Sequence, residues 1–227
     1  MKKTLTTIAT AMLLTATAHA ADFSDLRASV GISGSNAVYA ATGTEKDYGA
    51  GAVVKTTKEY GAFADAYGSI FAELGNDFIS VGIDYVPGKI ETPQNISNEN
   101  QSNQNRVSAD FDKLTTIYAK LNIPKLGGTY LKVGYSKVDV IVNEAMASGS
   151  TYADTDTSGM TYGLGYNHDL GVGGVSIRAE LLYATFSDVT ANNGKATSVS
   201  GNNPSRNEIT ISDMEGARGT ISIVKTF

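Results

Sequence analysis

Apolar residues recur at every second position over most of this chain, and that period constrains its fold more than any other feature. Side chains two apart share one face of an extended strand, whereas a helix groups positions three and four apart. Leu26, Ala28, Val30 and Ile32 alternate with Arg27, Ser29, Gly31 and Ser33; Ile79, Val81, Ile83 and Tyr85 alternate with Ser80, Gly82 and Asp84. The rhythm continues through Ile117, Ala119, Leu121 and Ile123, then through Leu131, Val133 and Tyr135 set against Lys132, Gly134 and Ser136. Met160, Tyr162, Leu164 and Tyr166 follow, then Val175, Ile177, Ala179, Leu181 and Tyr183 set against Ser176, Arg178 and Glu180, and Ile221 and Ile223 mark a last strand. Residues 62–74 read two ways, with either Ala64, Ala66, Gly68, Ile70, Ala72 and Leu74 or Phe63, Tyr67 and Phe71 sharing a face. Eight strands and no helix are expected.

The connections fall into two kinds that alternate strictly. Residues 75–77, 124–128 and 168–174 are short and rich in turn formers. Residues 41–61, 87–112, 143–159 and 188–208 are long and polar, and read as loops. An up-and-down meander with this order has every tight turn at one end and every long connection at the other. The segment 94–105, almost entirely Asn, Gln and Ser, cannot bury enough apolar surface to fold alone and is expected to be an exposed loop.

Residues 1–20 carry Lys2 and Lys3, a short apolar run and the triplet Ala18-His19-Ala20, which together read as a secretory signal cleaved after Ala20. The apolar run is shorter than the roughly 20 residues a spanning helix needs. Residues 21–227 are then one domain. Losing the signal leaves 16 basic against 23 acidic residues, a formal charge of −7. Without a cluster of Lys and Arg that balance gives no footing for nucleic acid.

Several chemistries are excluded or weakened by composition. The chain has no cysteine, so disulfides, thiolate metal sites and a Cys nucleophile are out. His168 is the one histidine after the signal, it falls in a short connection, and no G-x-S-x-G, H-E-x-x-H or phosphate-loop motif accompanies it. Asp154, Thr155, Asp156, Thr157, Ser158 and Gly159 match the first half of a calcium loop, but the twelfth position, where a bidentate Glu belongs, is Gly165. No catalytic residue, cofactor site or metal site is assigned.

Alternation does not say which face is apolar inside and which outside, so a soluble lipocalin-like carrier competes with a membrane barrel. The polar face here is dominated by Gly, Ser and Thr, as suits a narrow, crowded lumen. Its charges, Arg27, Asp84, Lys132, Arg178, Glu180 and Arg218, carry both signs and can neutralise one another inside. Against lipid at mid-depth each Arg or Lys would cost about 2 to 4 kcal/mol. Tyr39, Tyr85, Tyr135, Tyr166 and Tyr183 sit near strand ends, where an interfacial aromatic belt is expected.

The end of the chain adds a resemblance. Gly219, Ile221, Ile223 and the terminal Phe227 form an alternating run that resembles the carboxy-terminal assembly signal of bacterial outer-membrane proteins, with Lys225 at a position usually apolar in that signal. With the signal peptide and the eight-strand meander, the chain resembles small outer-membrane barrels of the OmpA transmembrane-domain, OmpX and opacity-protein type. The resemblance implies an all-β, eight-stranded antiparallel up-and-down transmembrane barrel in the outer membrane of a Gram-negative cell, with both termini periplasmic. It implies outer-membrane lipid and the outer-membrane assembly machinery as partners, a structural or surface-interaction role, and no catalysis. A narrow channel or carrier for small solutes, and the soluble periplasmic binder, remain the alternatives.

Overall fold

The computed structural model describes residues 25–49, 52–100, 103–145, 151–195 and 206–227, so the expected signal, 1–20, lies outside the described residues. The strands are β1 (Arg27–Gly49), β2 (Ala52–Gly75), β3 (Ile79–Tyr85), β4 (Ile90–Glu91), β5 (Asn95–Asn100), β6 (Asn103–Asn122), β7 (Thr129–Ala145), β8 (Thr155–Val172), β9 (Val175–Phe186), β10 (Val189–Asn192) and β11 (Asn207–Thr226). Eight of them close a ring in the order β1-β2-β3-β6-β7-β8-β9-β11, and β11 pairs back onto β1 from Ser29↔Thr226 to Asp47↔Asn207. Every neighbouring pair is antiparallel. Closure leaves the wall without edges at its turn end, where unpaired backbone groups would otherwise be exposed.

The turns follow from their residues. Between β2 and β3 the Asn76 side chain accepts from the N–H groups of Phe78 and Ile79, both at 3.0 Å. Between β6 and β7 a short 3-10 turn, Pro124–Leu126, occupies the connection. Between β8 and β9, Val172 pairs with Val175, so Gly173 and Gly174 alone make the turn, at φ 55° and 71°. Two consecutive positive φ values define the hairpin turn that matches strand twist, and glycine adopts them without strain. His168 is therefore not in the turn: β8 carries it, opposite Ile177. Phe227 N–H donates to the Ala28 carbonyl at 2.9 Å, which places both ends of the described chain at the turn end.

The opposite end differs from the loops read from sequence. β1 and β2 continue pairing from Arg27↔Gly75 up to Gly49↔Ala52, and β5 pairs with β6 from Asn95↔Val107 to Asn100↔Asn103. Segments 41–61 and 94–105 are thus mostly strand. Thr42, Thr44, Tyr48, Val53, Thr56, Thr57 and Tyr60 are good strand formers, and once the barrel fixes the register their backbone groups find partners across the hairpin.

The apolar set faces outward. Ile32, Ile117, Leu181 and Ile221 are each about 60% exposed, while Ser35, Ser69, Thr116, Ser136, Thr161 and Ser222 on the other face are buried. In β2 the two readings of 62–74 are the two faces of one strand, with Phe63, Tyr67 and Phe71 inside and the Ala, Gly, Ile and Leu set outside. A soluble carrier needs the reverse arrangement. The outward apolar zone is framed by Tyr85, Tyr135 and Tyr183 toward the loop end and by Phe78, Tyr166 and Phe227 toward the turn end, all exposed. That is the arrangement of aromatic belts at two membrane interfaces. Tyr39 is a correction to the expected belt: its position parity turns it inward, and its hydroxyl hydrogen-bonds that of Tyr67 at 2.9 Å.

Candidate functional site

The lumen is filled in layers, and each layer reflects the inward residue of every strand. Hydroxyl pairs stitch the walls: Ser33 to Ser222 at 2.9 Å, Ser35 to Thr220 at 2.8 Å, and Thr116 through Ser136 to Thr161 at 2.8 and 2.9 Å. Small inward residues also make room for large ones. Phe71 is directly opposite Gly31, Tyr118 opposite Gly82, Tyr130 opposite Gly165 and Tyr39 opposite Gly216. A Cβ at Gly165 would lie 2.2 Å from the Tyr130 ring, so glycine is what allows that ring to lie flat across the neighbouring strand.

Toward the turn end, Phe71, Tyr118 and Tyr130 enclose a network of charges. Arg178 on β9 donates to both oxygens of Glu73 on β2, at 2.6 and 2.9 Å. Lys120 and the Tyr118 hydroxyl, both from β6, donate to the same carboxylate at 3.0 and 2.8 Å. Beside it, Glu180 on β9 accepts from Lys132 at 3.1 Å and from the Tyr130 hydroxyl at 2.6 Å. Lys132 lies 3.9 Å from the centre of the Tyr118 ring, Lys120 lies 5.0 Å from that of Tyr130, and the Arg178 guanidinium lies 5.0 Å from that of Phe71. All five charged groups are buried. A buried ion carries a desolvation penalty of several kcal/mol, offset only where the geometry is good and the remaining lone pairs are satisfied. Here the Arg178–Glu73 pair is bidentate, and both carboxylates accept further donors.

Higher in the lumen, Asp84 accepts from Ser69 at 2.9 Å, and Arg218 donates to the Tyr67 hydroxyl at 3.3 Å. The void lined by Thr116, Ser136, Thr161, Leu182 and Arg218 measures about 20 Å³, room for roughly one water. Above it the lumen turns apolar. Ala37, Tyr67, Val86, Ile90, Leu114 and Val138 form a buried cluster, flanked by Tyr39, Phe63, Phe111 and Phe186. Val86 and Ile90 belong to it because the chain stays on β6 after Tyr85 with both residues turned inward: Val86 N–H donates to the Leu114 carbonyl at 3.0 Å, and β4 pairs with β6 through Ile90↔Phe111. Residues 86–90 join β3 to β4 along β6, tied by Lys89 to Asp110 at 2.9 Å.

Of the charges read as internal, Asp84, Lys132, Arg178 and Glu180 are buried in the lumen and Arg218 is partly buried there. Arg27 is a correction. It has the inward parity but stands at the first position of β1, where the lumen ends, and it pairs with Asp77 at 2.9 Å with both side chains more than half exposed. Glu73, Lys120, Tyr118 and Tyr130 were not singled out from sequence. Lys120 sits between Ala119 and Leu121, and Glu73 between Ala72 and Leu74, so their parity alone places them on the polar face.

The other candidates fall outside this network. His168 is exposed, with its ring 6.4 Å from that of Tyr166. The calcium-like string is mostly strand: Thr155 to Gly159 open β8, Asp154 accepts from Val142 N–H at 3.0 Å, and Asp156 pairs with Lys137 at 3.3 Å. An extended strand spreads alternate carboxylates along one line rather than curling them round an ion. Among the described residues no group of three or more His, Asp or Glu is arranged to hold a metal. Gly219, Ile221 and Ile223 lie on the outward face of β11, opposite Asn36, Gly34 and Ile32 of β1. Lys225 bends to the turn end, where its amine donates to the Gly173 carbonyl and stands 5.2 Å from the Phe227 ring centre.

No protein-family model and no curated protein sequence matches the chain. Among solved structures, the crystal structure of the outer membrane protein OprG from Pseudomonas aeruginosa superposes with a TM-score of 0.51 at 14% identity, covering 88% of this chain and 95% of that one. The outer membrane protein AlkL, determined by solid-state NMR in lipid bilayers, gives 0.46 at 12% identity over 87% of this chain and 90% of its own. Ail of Yersinia pestis gives 0.38 at 11% identity over 87% and 99%. The fold shared with OprG is the small eight-stranded antiparallel barrel of outer-membrane proteins.

Proposed function

We propose that this protein is an integral outer-membrane barrel of a Gram-negative cell whose lumen is closed to solutes, and that it acts through its loop-end surface without catalysing a reaction. The observation that carries the reading is the layered filling of the lumen. A bidentate Arg178–Glu73 pair and its neighbours occupy one level, and the apolar cluster around Val86 and Ile90 occupies the mouth. A small solute would have to break paired buried charges and pass a dry constriction. The exposed apolar zone between aromatic belts supports lipid as the surroundings of the wall, and the outward alternation of Gly219, Ile221 and Ile223 on β11 supports delivery by the outer-membrane assembly machinery. Both termini at the turn end are then periplasmic, since short turns face that side in such barrels.

What projects from the membrane is mostly paired strand. β1, β2, β10 and β11 continue beyond the level of Tyr183 as one sheet, through Asp47↔Lys55, Lys46↔Glu208 and Asn192↔Glu208. β2 pairs with β3 only from Ile70 to Gly75, so its upper part has β1 on one side alone. An exposed strand edge of that kind favours contact with other chains.

The reading is tested in the outer-membrane fraction. The protein is expected there, migrating faster unboiled than boiled in detergent gels, and liposomes carrying it are expected not to swell in small sugars. Recovery in the soluble periplasm, or swelling at the rate of a porin, would overturn it.

A further inference from the structure

Arg218 differs from the other cations of the lumen: among the described residues it has no carboxylate at ion-pair distance, whereas Lys120, Lys132 and Arg178 each have one. Its guanidinium offers five donors, and a single contact, to the Tyr67 hydroxyl at 3.3 Å, uses one of them. The three carboxylates buried in the lumen are engaged elsewhere. Glu73 and Glu180 hold Arg178, Lys120 and Lys132, and Asp84 accepts from Ser69 at 2.9 Å. Asp65 stands inward at the height of Arg218, with Ala37 between them, but it accepts from the exposed Ala66 N–H at 2.7 Å. Four cations thus face three buried carboxylates. The fourth carries a desolvation penalty that no ion pair offsets.

The void of about 20 Å³ lies against this residue, and its polar lining has donors to spare. Thr116, Ser136 and Thr161 share two hydrogen bonds, at 2.8 and 2.9 Å, among three hydroxyls, which leaves one O–H proton over. Tyr39, also in the lining, shares one bond of 2.9 Å with Tyr67, whose oxygen takes the Arg218 contact as well, so a second proton is left over. None of the lining residues carries a carboxylate or carboxamide. A water molecule there would need acceptors for its own two protons, whereas an anion only accepts. Leu114, Leu182 and Phe186 line the rest of the space, and apolar surroundings of low dielectric strengthen the attraction of an anion to Arg218. The volume suits a monatomic ion, since it is room for about one water and not for a tetrahedral oxyanion.

We propose that the void beside Arg218 binds a single halide ion, chloride in the cell's surroundings, which completes the charge balance of the lumen and stabilises the barrel. The site goes beyond the reading of a closed lumen and requires only the folded barrel, which the unboiled gel shift of each sample reports separately. The purified protein in non-ionic detergent is unfolded in urea while sodium chloride replaces sodium gluconate at constant ionic strength. The urea midpoint is expected to rise and then level off, with the folded-to-unfolded ratio about tenfold higher once chloride reaches ten times its dissociation constant. Arg218→Gln is expected to abolish this dependence. Thr161→Val, which keeps the charge and the size of the side chain, is expected to move it to several-fold higher chloride, and serves alone if Arg218→Gln does not fold. Crystals grown in sodium bromide are expected to show an anomalous peak in the void, at hydrogen-bond distance from Arg218. A midpoint indifferent to the anion, or a dependence undiminished in both variants, overturns the site. The bromide position decides where the two measurements disagree: a peak in the void upholds the proposal, and no peak there overturns it.

Discussion

Arg178 holds both carboxylate oxygens of Glu73, a residue 105 positions earlier in the chain and three strands away round the ring, with Nη1···Oε1 2.6 Å and Nη2···Oε2 2.9 Å. This pair ties β9 to β2 through the lumen, in addition to the wall hydrogen bonds that hold each strand to its neighbours. It also commits the lumen, because the same Glu73 carboxylate holds Arg178 and Lys120 together.

Removing both partners should therefore cost less than the sum of removing each alone. Arg178→Met or Glu73→Gln alone is expected to destabilise the barrel by about 3 to 5 kcal/mol, the range for breaking a buried pair. The double variant should fall well short of the sum, since Lys120 can be answered by Glu180 nearby. Urea unfolding in detergent micelles, arranged as a double-mutant cycle, measures the difference.

Glycine opposite an aromatic makes a second expectation. Gly165→Ala puts a methyl into the Tyr130 ring, which the hydroxyl bond to Glu180 at 2.6 Å holds in place. A loss of about 1 to 3 kcal/mol is expected, as for an overpacked core. Gly61→Ala, with nothing within 4 Å of the new carbon, should stay within about 0.5 kcal/mol of the parent. The same unfolding curves decide.

The connection between β3 and β4 should respond to acid. The Lys89 ammonium, by its hydrogen bond to Asp110, holds that carboxyl below the usual carboxylate range; burial works against it, and the Asn143 side chain adds a smaller push in the same direction as Lys89. Because the folded value lies below the unfolded one, the contribution of the pair is complete above the ordinary carboxylate value and fades as pH falls through the lowered one. Amide exchange at Lys89 and Ile90 is expected to quicken below about pH 4 and to be unaffected by pH, beyond its intrinsic rate, in Asp110→Asn. Exchange measured by NMR across that range checks both.

The wall of the barrel was legible in the sequence because lipid and lumen impose opposite demands on alternate residues. Ile79 to Tyr85 and Val175 to Leu181 show that contrast at every position. Beyond the membrane both faces of a strand meet water or sparse packing, so the pattern disappears, and 41–61 reads as a loop although its backbone pairs through to Gly49↔Ala52. Arg27 shows the converse limit: parity gives the face, but not where along the barrel the lumen ends. The pairing of Tyr130 with Gly165 and the joining of Glu73 to Arg178 depend on register and closure, which no single strand encodes. Tyr39, assigned to the outer belt by its place near a strand end, faces inward because parity outranks residue type.

The most direct test of the closed lumen is the conductance of the purified, heat-modifiable barrel inserted in a planar lipid bilayer at neutral pH. The filled lumen predicts a current that stays at the baseline of the bare membrane while labelled protein is counted in the bilayer. Steady, ohmic steps that scale with the number of inserted barrels would contradict it.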